Sequence, residues 1–273
     1  MIFNRKLTVV LSSLYFLFFL YHLFFHFLTF SPILSIVRES SLSKEGYFKN
    51  EMGYLEWNTE EKENIIFYFN NWNGNCSTRI GNLLQLKKHF SQYKIIQLEY
   101  PGYGYSAQEE LSIENMIEMS GNGIKEFIKE NKIKEQNYIF WGEGMGNYIL
   151  SEILNRFSFQ PKIIIHYNIY PSFFSYIKEK YSFLYPFFFP SFLKYKNNSY
   201  RYPKNEPMVY FLSEKEKENF NRTSFYNQRT IPFSKKKIIY LEGKENSIFF
   251  YEKNRKEIKN ILFKDFSFIE QNV

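Results

Sequence analysis

The sequence predicts an α/β domain with a mostly parallel central sheet and helices on both of its faces, preceded by one N-terminal transmembrane helix. Three observations predict this. Between residues 61 and 273, short apolar segments of strand length alternate with amphipathic helical segments. Residues 138–147 read as a strand that turns sharply into a helix at a glycine-rich segment. Residues 7–37 contain no charged side chain.

The N-terminal segment predicts a membrane anchor over residues 1–37. A hydrocarbon core of ~30 Å requires about 20 apolar residues in a helix, so one span fits, and we place it at residues 7–30. Pro32 is a natural end for this helix. The stretch is too long for a cleaved signal peptide and lacks a small-residue cleavage site, which favours an uncleaved signal-anchor. The predicted location is a membrane, crossed once.

Composition narrows the classes of partner and cofactor. The formal net charge is +7, but the lysines are interleaved with glutamates and no zinc spacing or RNA-binding motif accompanies them, so no nucleic-acid partner is predicted. Cys76 is the only cysteine, which excludes an internal disulfide and a cysteine-based metal site. No metal and no cofactor is predicted.

The remaining segments follow in order along the chain. Residues 38–60 are polar and predict a linker or a first hairpin. Period-two or fully apolar runs predict strands at residues 65–69, 93–99, 138–141, 162–166, 208–212 and 237–241. Helical periodicity predicts helices at residues 79–90, 112–131, 148–157 and 249–263. Ligands of such sheets bind at the carboxyl ends of the strands.

An aromatic insert interrupts the alternation at residues 171–205. It contains many phenylalanines, and Pro186 and Pro190 make it unsuitable for one regular element. The insert is interpreted as a lid over an apolar pocket, as a patch that rests on a bilayer, or as ordinary core packing.

Three motifs in the expected order resemble those of the α/β-hydrolases, in particular the membrane-anchored abhydrolase-domain group with one N-terminal span. The strand and loop at residues 65–75 resemble the family's strand with its His-Gly oxyanion loop. Residues 99–106, Glu-Tyr-Pro-Gly-Tyr-Gly-Tyr-Ser, are similar to the family's Asp-Tyr-Arg-Gly-Tyr-Gly-x-Ser. Residues 142–147 take the place of the nucleophile elbow, G-x-S-x-G. The resemblance covers residues 64–263.

The resemblance also implies a catalytic triad that is degenerate. The nucleophile position holds Gly144, and the acid position holds Glu216, an acceptable substitute. The base position holds Glu245, and no histidine follows His166.

The oxyanion loop differs from the family's pattern as well. Asn70 and Asn71 replace its His-Gly pair. Asn71 can still adopt a left-handed conformation, and the backbone N–H groups of Trp72 and Met145 are the expected oxyanion donors.

Three hypotheses about function follow. The first is a catalytically inactive pseudohydrolase that binds a lipid, a small apolar ligand or a protein partner. The alternative is an active but atypical ester or acyl hydrolase that uses His166 with Glu143, Glu216 and Glu245 at the crevice formed by the strand ends. The third is a structural membrane protein that assembles through the aromatic insert.

Overall fold

The computed structural model describes nine segments of the chain, residues 2–29, 43–58, 60, 62–71, 75–106, 110–170, 201–214, 231–242 and 251–264. Trp72, Glu216 and Glu245 lie outside the described residues, and so does most of the aromatic insert, residues 171–200.

The described strands form one eight-stranded sheet in the order β1-β2-β4-β3-β5-β6-β7-β8. The strands are β1 Lys44–Tyr47, β2 Gly53–Trp57, β3 Asn64–Phe69, β4 Tyr93–Leu98, β5 Tyr138–Glu143, β6 Ile163–Tyr167, β7 Met208–Glu214 and β8 Lys236–Leu241. β1 and β2 are antiparallel to their neighbours, and the strands from β4 to β8 are parallel. The mostly parallel sheet predicted from the sequence is therefore confirmed.

Five α-helices lie in the described part of the chain. They are α1 Ile2–Thr29, α2 Ile80–His89, α3 Ile113–Glu130, α4 Gly146–Arg156 and α5 Glu252–Lys264. The start of α3 shows how the sequence sets a boundary. The hydroxyl of Ser112 accepts a hydrogen bond of 3.1 Å from the backbone N–H of Asn115, which satisfies a donor that has no partner within the helix.

Helices cover the sheet on both faces, and each face has its own apolar core. On the first, which we call the α3/α4 face, Phe67 and Phe140 pack with buried side chains of α3 and α4. On the second, the α2/α5 face, Ile66 and Trp141 pack with side chains of α2 and α5. Because side chains alternate along a strand, each central strand contributes to both cores and is buried on both sides.

Two element boundaries differ from the sequence prediction in ways that affect the site. β5 continues through Glu143 rather than ending at residue 141, because Gly142 and Glu143 pair in register with His166 and Tyr167 of β6. Residues 38–60, predicted as a linker or a hairpin, contain the antiparallel β1–β2 pair.

The N-terminal helix α1 includes most of the segment predicted to cross a membrane. Within the described residues, no helix meets both the length and the apolar character of a membrane span. The transmembrane helix at residues 7–30 stays a prediction.

Candidate functional site

The strand-to-helix turn after β5 contains three glycines, and each position requires glycine for a different steric reason. Gly144 has φ of +53°, a left-handed conformation that glycine adopts without a side-chain penalty. A Cβ at Gly142 would collide with the carboxamide of Asn147, and a Cβ at Gly146 would collide with backbone carbonyls at the end of β3. The glycine pattern therefore holds α4 close to the sheet and keeps the predicted elbow.

The side chain of Asn71 occupies the space beside Gly144. A Cβ added at Gly144 would lie 2.9 Å from both Cγ and Nδ2 of Asn71. The backbone N–H of Met145 donates a long hydrogen bond of 3.4 Å to Asn71 Oδ1. Asn71 is only 6% exposed, so its carboxamide is a fixed part of the turn. Its carbonyl oxygen therefore engages the N–H group that was predicted to be an oxyanion donor.

Asn71 itself departs from the sequence expectation. The φ angle of Asn71 is not positive, so Asn71 does not use the left-handed conformation that the sequence allows. It meets the oxyanion position with its side chain instead. Met145, one of the two expected oxyanion donors, is thus already engaged.

Asn147 and His166 form a neutral hydrogen-bonded pair on the α3/α4 face. Asn147 Nδ2 donates to the carbonyls of Gly144 and Tyr167, each at 3.0 Å. This orientation turns Asn147 Oδ1 toward His166 Nδ1, which lies 2.8 Å away. Since Oδ1 only accepts, the Nδ1 atom carries the proton. The tautomer is thereby assigned by the surrounding bonds.

Burial keeps His166 uncharged. The ring is fully buried and stacks on Phe211, with centroids 5.2 Å apart. Loss of hydration disfavours the imidazolium and lowers the pKa of His166 to about 3. A general base at neutral pH needs a pKa near 7 and access to a substrate proton. His166 has neither.

Glu143 belongs to a different set of contacts, on the α2/α5 face. Its Oε2 accepts a hydrogen bond of 2.7 Å from the hydroxyl of Tyr68, and its Oε1 lies 3.0 Å from Nε of Arg79. Glu143 is fully buried and Arg79 is 9% exposed. The carboxylate is therefore a buried ion-pair partner with a hydrogen-bonded second oxygen.

The structure does not bring His166 and Glu143 together. His166 pairs in register with Gly142, so its side chain shares the face of Gly142, and the next residue, Glu143, points to the opposite face. The sheet itself separates the imidazole from the carboxylate. Two other predicted site residues, Gly144 and Met145, lie next to each other in the elbow. The remaining ones lie outside the described residues: Trp72, Glu216 and Glu245.

A second polar cluster, not predicted from the sequence, joins the ends of β3 and β4. Asn70 Nδ2 donates to the carbonyl of Leu98 at 2.7 Å, and Asn70 Oδ1 accepts from Gln97 Nε2 at 3.0 Å. Cys76 is buried in the same cluster, and burial raises the pKa of its thiol well above the ordinary value. The cluster fixes the loop that enters the elbow, and its thiol is not an activated nucleophile.

Glu99 is the carboxyl group of this second cluster. Its Oε1 accepts a hydrogen bond of 3.1 Å from the backbone N–H of Cys76, while Oε2 has no hydrogen-bond partner among the described residues. Burial raises the pKa of Glu99 to about 7. Ser106 has a structural role in the same turn, since it donates to the carbonyl of Glu99 at 2.9 Å and accepts from the N–H of Gly53 at 2.7 Å.

The contact between Tyr68 and Glu143 was not predicted, although the sequence contains a signal for it. Tyr68 and Trp141 are cross-strand neighbours, and alternation places Glu143 on the same side as Trp141. The position of the Asn71 side chain has no such signal, because it depends on how a loop meets the elbow.

Comparisons with known proteins were made at the level of sequence and of structure. No protein-family profile and no curated protein matches the sequence. Among solved structures, the esterase Pf2001 of Pyrococcus furiosus is 12% identical with a TM-score of 0.59, and the match covers 85% of this chain and 97% of the esterase.

Two further solved structures are similar to this chain. The Francisella virulence factor BioJ is 12% identical with a TM-score of 0.55, and the match covers 84% of this chain and 86% of BioJ. An esterase/lipase from an uncultured bacterium is 9% identical with a TM-score of 0.58, and the match covers 83% of this chain and 85% of the enzyme. At these identities the similarity is one of fold.

Proposed function

We propose that this chain, whose fold is that of the α/β-hydrolases, is a noncatalytic binding protein rather than an ester hydrolase. One observation carries the proposal. At the elbow, Gly144 supplies no hydroxyl, and the buried carboxamide of Asn71 fills the adjoining space and engages the N–H of Met145. The scaffold is retained, while the position of the reacting atoms is taken by the chain's own side chain.

The chemistry of the missing groups supports the proposal. A hydrolytic triad needs a nucleophile, a base that takes its proton and an acid that orients the base. Here the nucleophile position holds Gly144, and the base position holds Glu245. No histidine follows His166 in the sequence, so this part of the chain supplies no imidazole base. Loss of either nucleophile or base alone removes most of the catalysis that a triad provides.

The filled elbow also favours one class of partner. A lipid or small apolar ligand at this position requires that Asn71, which is 6% exposed, leave its place beside Gly144. A protein partner bound on the outer surface has no such requirement. We therefore propose a protein partner as the main occupant, with a lipid or an apolar ligand as the alternative.

The central experiment is labelling with a serine-directed fluorophosphonate, with a known active esterase as the positive control. We expect no stoichiometric labelling of the wild-type chain. We also expect none of the Gly144→Ser variant, because the new Cβ meets Asn71 and no base is supplied. The matched variant Gly144→Ser/Asn71→Gly/Glu245→His restores the family's residue types at three positions, and we expect it to gain labelling.

The two contrary outcomes are distinct. Stoichiometric labelling of the wild-type protein would overturn the proposal. Labelling of Gly144→Ser alone would show that Asn71 does not block the elbow, and would remove the observation on which the proposal depends.

The atypical hydrolase is the second candidate, and the similarity to esterases is what favours it. The contacts of its residues count against it, because the sheet separates His166 from Glu143 and the carboxylate is held by Arg79. An esterase rate that disappears in Glu143→Gln or Glu245→Gln, in a variant that unfolds at the wild-type temperature, would establish this candidate.

We also propose that the protein is tethered to a membrane by one span at its N-terminus. The support comes from residues 7–37, which carry no charged side chain, and from exposed apolar side chains of α1 such as Leu14 (57%) and Phe16 (59%). We expect the full chain to stay with the membrane fraction in alkaline carbonate and to be released by detergent. Release by carbonate alone contradicts the tether.

A further inference from the structure

Most of the large apolar side chains that are exposed outside α1, among the described residues, lie on or next to β8. Ile238 and Tyr240 of this strand are 36% and 41% exposed, and Phe233, in the short turn before it, is 89% exposed. Among the described strands β8 pairs only with β7, so it lies at an edge of the sheet. Single exposed apolar residues are ordinary on a surface, but an edge strand also presents backbone N–H and C=O groups to a further strand. β8 is therefore a candidate docking edge.

The opposite edge of the described sheet, β1, is less suited to docking. β1 has four residues, whereas β8 has six, and a short edge strand is one way in which proteins prevent edge pairing. Lysines protect edges as well, and β8 begins with Lys236 and Lys237. However, Lys237 is turned back onto its own sheet, because its Nζ lies 5.5 Å from the centroid of the Tyr210 ring. The middle of β8 is apolar.

The side chains of β8 alternate between the two faces of the sheet. Ile239 packs with the core of the α2/α5 face, and Leu241 is buried in that core. Ile238 and Tyr240 therefore project from the α3/α4 face. A two-fold axis perpendicular to the sheet would bring a second β8 alongside the first in the antiparallel direction, with the same faces on the same side. The exposed apolar side chains of the two copies would then meet.

The sequence of β8 selects one register for this pairing. If the two copies of Ile239 lie opposite each other on the axis, Ile238 lies opposite Tyr240 of the second copy, and Lys236 lies opposite Glu242. Pairs of aromatic and β-branched side chains and pairs of opposite charges both stabilise neighbouring strands. An axis that passes through Ile238 or Tyr240 places a charged residue opposite an apolar or aromatic one. Only the register centred on Ile239 matches every pair on this face.

The charges at the two ends of the strand favour the antiparallel direction. Lys236 is half-buried at the start of β8, and Glu242 directly follows its end. Oε1 of Glu242 accepts a hydrogen bond of 2.7 Å from Nζ of Lys253, but a carboxylate accepts several bonds, so a second lysine can join. Parallel pairing would place like charges together. Because a two-fold axis relates the two strands, the assembly closes at two copies and does not extend into a fibre.

We infer that a second copy of this chain docks on β8, antiparallel and centred on Ile239, so that the two sheets form one continuous sheet across a symmetric dimer. This edge is separated from the elbow strand β5 by β6 and β7. The inference goes beyond the noncatalytic function proposed above and does not depend on it.

The first test is a charge exchange, measured by sedimentation equilibrium of the full-length protein in an excess of density-matched neutral detergent micelles. We expect the wild-type chain to form dimers reversibly. Lys236→Glu and Glu242→Lys each place like charges at both ends of the paired strands, and we expect each to raise the dissociation constant about tenfold or more. An equimolar mixture of the two variants restores both opposite-charge pairs, and we expect it to dimerise about as strongly as the wild type.

The matched control is Lys125→Glu, which makes the same change of charge on the exposed surface of α3. We expect its dissociation constant to stay within about twofold of the wild-type value. Thermal unfolding of each variant shows whether it is folded. The mixture is a further check on folding, because two misfolded chains would not recover dimerisation together.

The second test reads the register through disulfide formation under mild oxidation. Cys76 is the only cysteine of the chain and is buried, so an added cysteine is the reporter. Directly opposite residues of an antiparallel pair have Cα atoms roughly 4.5–5.5 Å apart, a separation that a disulfide bridges. Ile239→Cys should therefore form a disulfide-linked dimer. Ile238→Cys and Tyr240→Cys should each form little alone, because their diagonal separation is about 7–8 Å, and should form a mixed disulfide together.

Four results would overturn the inference. The first is a wild-type chain that stays monomeric over a wide range of concentration. The second is a dimer that is insensitive to both charge variants, which places the contact elsewhere, for example on α1. The others are a mixture of the charge variants that fails to dimerise, and a disulfide that forms as readily in Ile238→Cys as in Ile239→Cys. None of these results bears on fluorophosphonate labelling at the elbow, so failure here and failure of the proposed function are distinguishable.

Discussion

The two faces of the sheet differ in charge at the carboxyl ends of the central strands. On the α2/α5 face, Glu143 is paired with Arg79, and Glu99 lies beside Cys76. On the α3/α4 face, the polar groups next to the elbow are the carboxamide of Asn147 and a neutral imidazole, His166.

The difference shows why neighbouring groups here do not form an acid–base pair. The strand that supplies Glu143 also supplies Gly142, whose partner in register is His166. Because Glu143 lies one residue further along β5 than Gly142, its carboxylate and the imidazole of His166 lie on opposite sides of the sheet. An acid and a base that act on one substrate must both reach it, and the sheet separates Glu143 from His166.

The largest effect is expected from breaking the ion pair on the α2/α5 face. Arg79→Leu leaves Glu143 charged and buried without its cation, and we expect a loss of about 3–5 kcal/mol in the free energy of unfolding at pH 8. Urea unfolding measures it. The double variant Arg79→Leu/Glu143→Gln should recover much of the loss. A cost below about 1 kcal/mol for Arg79→Leu would mean that the charge on this face is not truly buried.

The next effect concerns Glu99 and has the opposite sign. Its pKa is raised from 4.5 to about 7, so in the unfolded state the group ionises first as pH rises. It therefore contributes stability at pH below 4.5 that is lost as pH rises through about 7. Glu99→Gln should remove this decline and be more stable than wild type at pH 8, by up to about 3 kcal/mol.

The measurement for Glu99 is the free energy of unfolding of both proteins between pH 4 and 8. Two parallel pH profiles would show that Glu99 is hydrated in the folded protein and that the α2/α5 face holds no raised carboxyl group.

A smaller effect tests the packing of α4 on the α3/α4 face through Gly146, with Gly81 of α2 on the other face as the control. Gly146→Ala directs a methyl group at the carbonyl oxygens of Phe69 and Asn70, and we expect a cost of about 2 kcal/mol because backbone cannot move aside. Gly81→Ala in α2 meets nothing within 4 Å and should stabilise by about 0.5–1 kcal/mol. Thermal unfolding of both variants should show shifts of opposite sign.

The last prediction is the absence of a change. His166 should stay neutral down to about pH 4.5, since burial lowers its pKa to about 3. In an NMR titration its ring C–H signals should not move between pH 4.5 and 8, whereas the signals of His89, whose pKa is lowered less by partial burial and nearby cations, should move. His166→Gln and His89→Gln assign the signals. A midpoint near 6 for His166 would mean that the α3/α4 face is open to water.

The sequence was sufficient for the parallel part of the sheet, from β3 to β8, because the signals for these strands are local. The apolar runs that predicted strands at residues 65–69, 93–99 and 208–212 correspond to β3, β4 and β7. Alternation with helical segments then required parallel pairing, as observed. The turn at Gly144 was predicted for the same reason, since it depends on a short run of glycines.

The candidate site was predicted less completely because it depends on contacts across the fold. β5 was expected to end at residue 141, and Glu143 was therefore expected in the crevice at the strand ends. Because β5 continues to Glu143, the alternation of side chains places Glu143 on the face opposite His166. The Asn71 carboxamide beside Gly144 could not be predicted, because 73 positions separate the two residues and no local rule relates them.

The carboxamide of Asn71 makes the present state difficult to reverse in evolution. A single codon change at Gly144 would introduce a hydroxyl-bearing residue whose Cβ lies 2.9 Å from atoms of Asn71, at a φ of +53°. For the noncatalytic protein that we propose, such a mutant gains strain and no activity, so selection has nothing to retain. Hydrolysis at this turn would require a shorter residue 71 first, and that earlier substitution brings no catalytic advantage of its own.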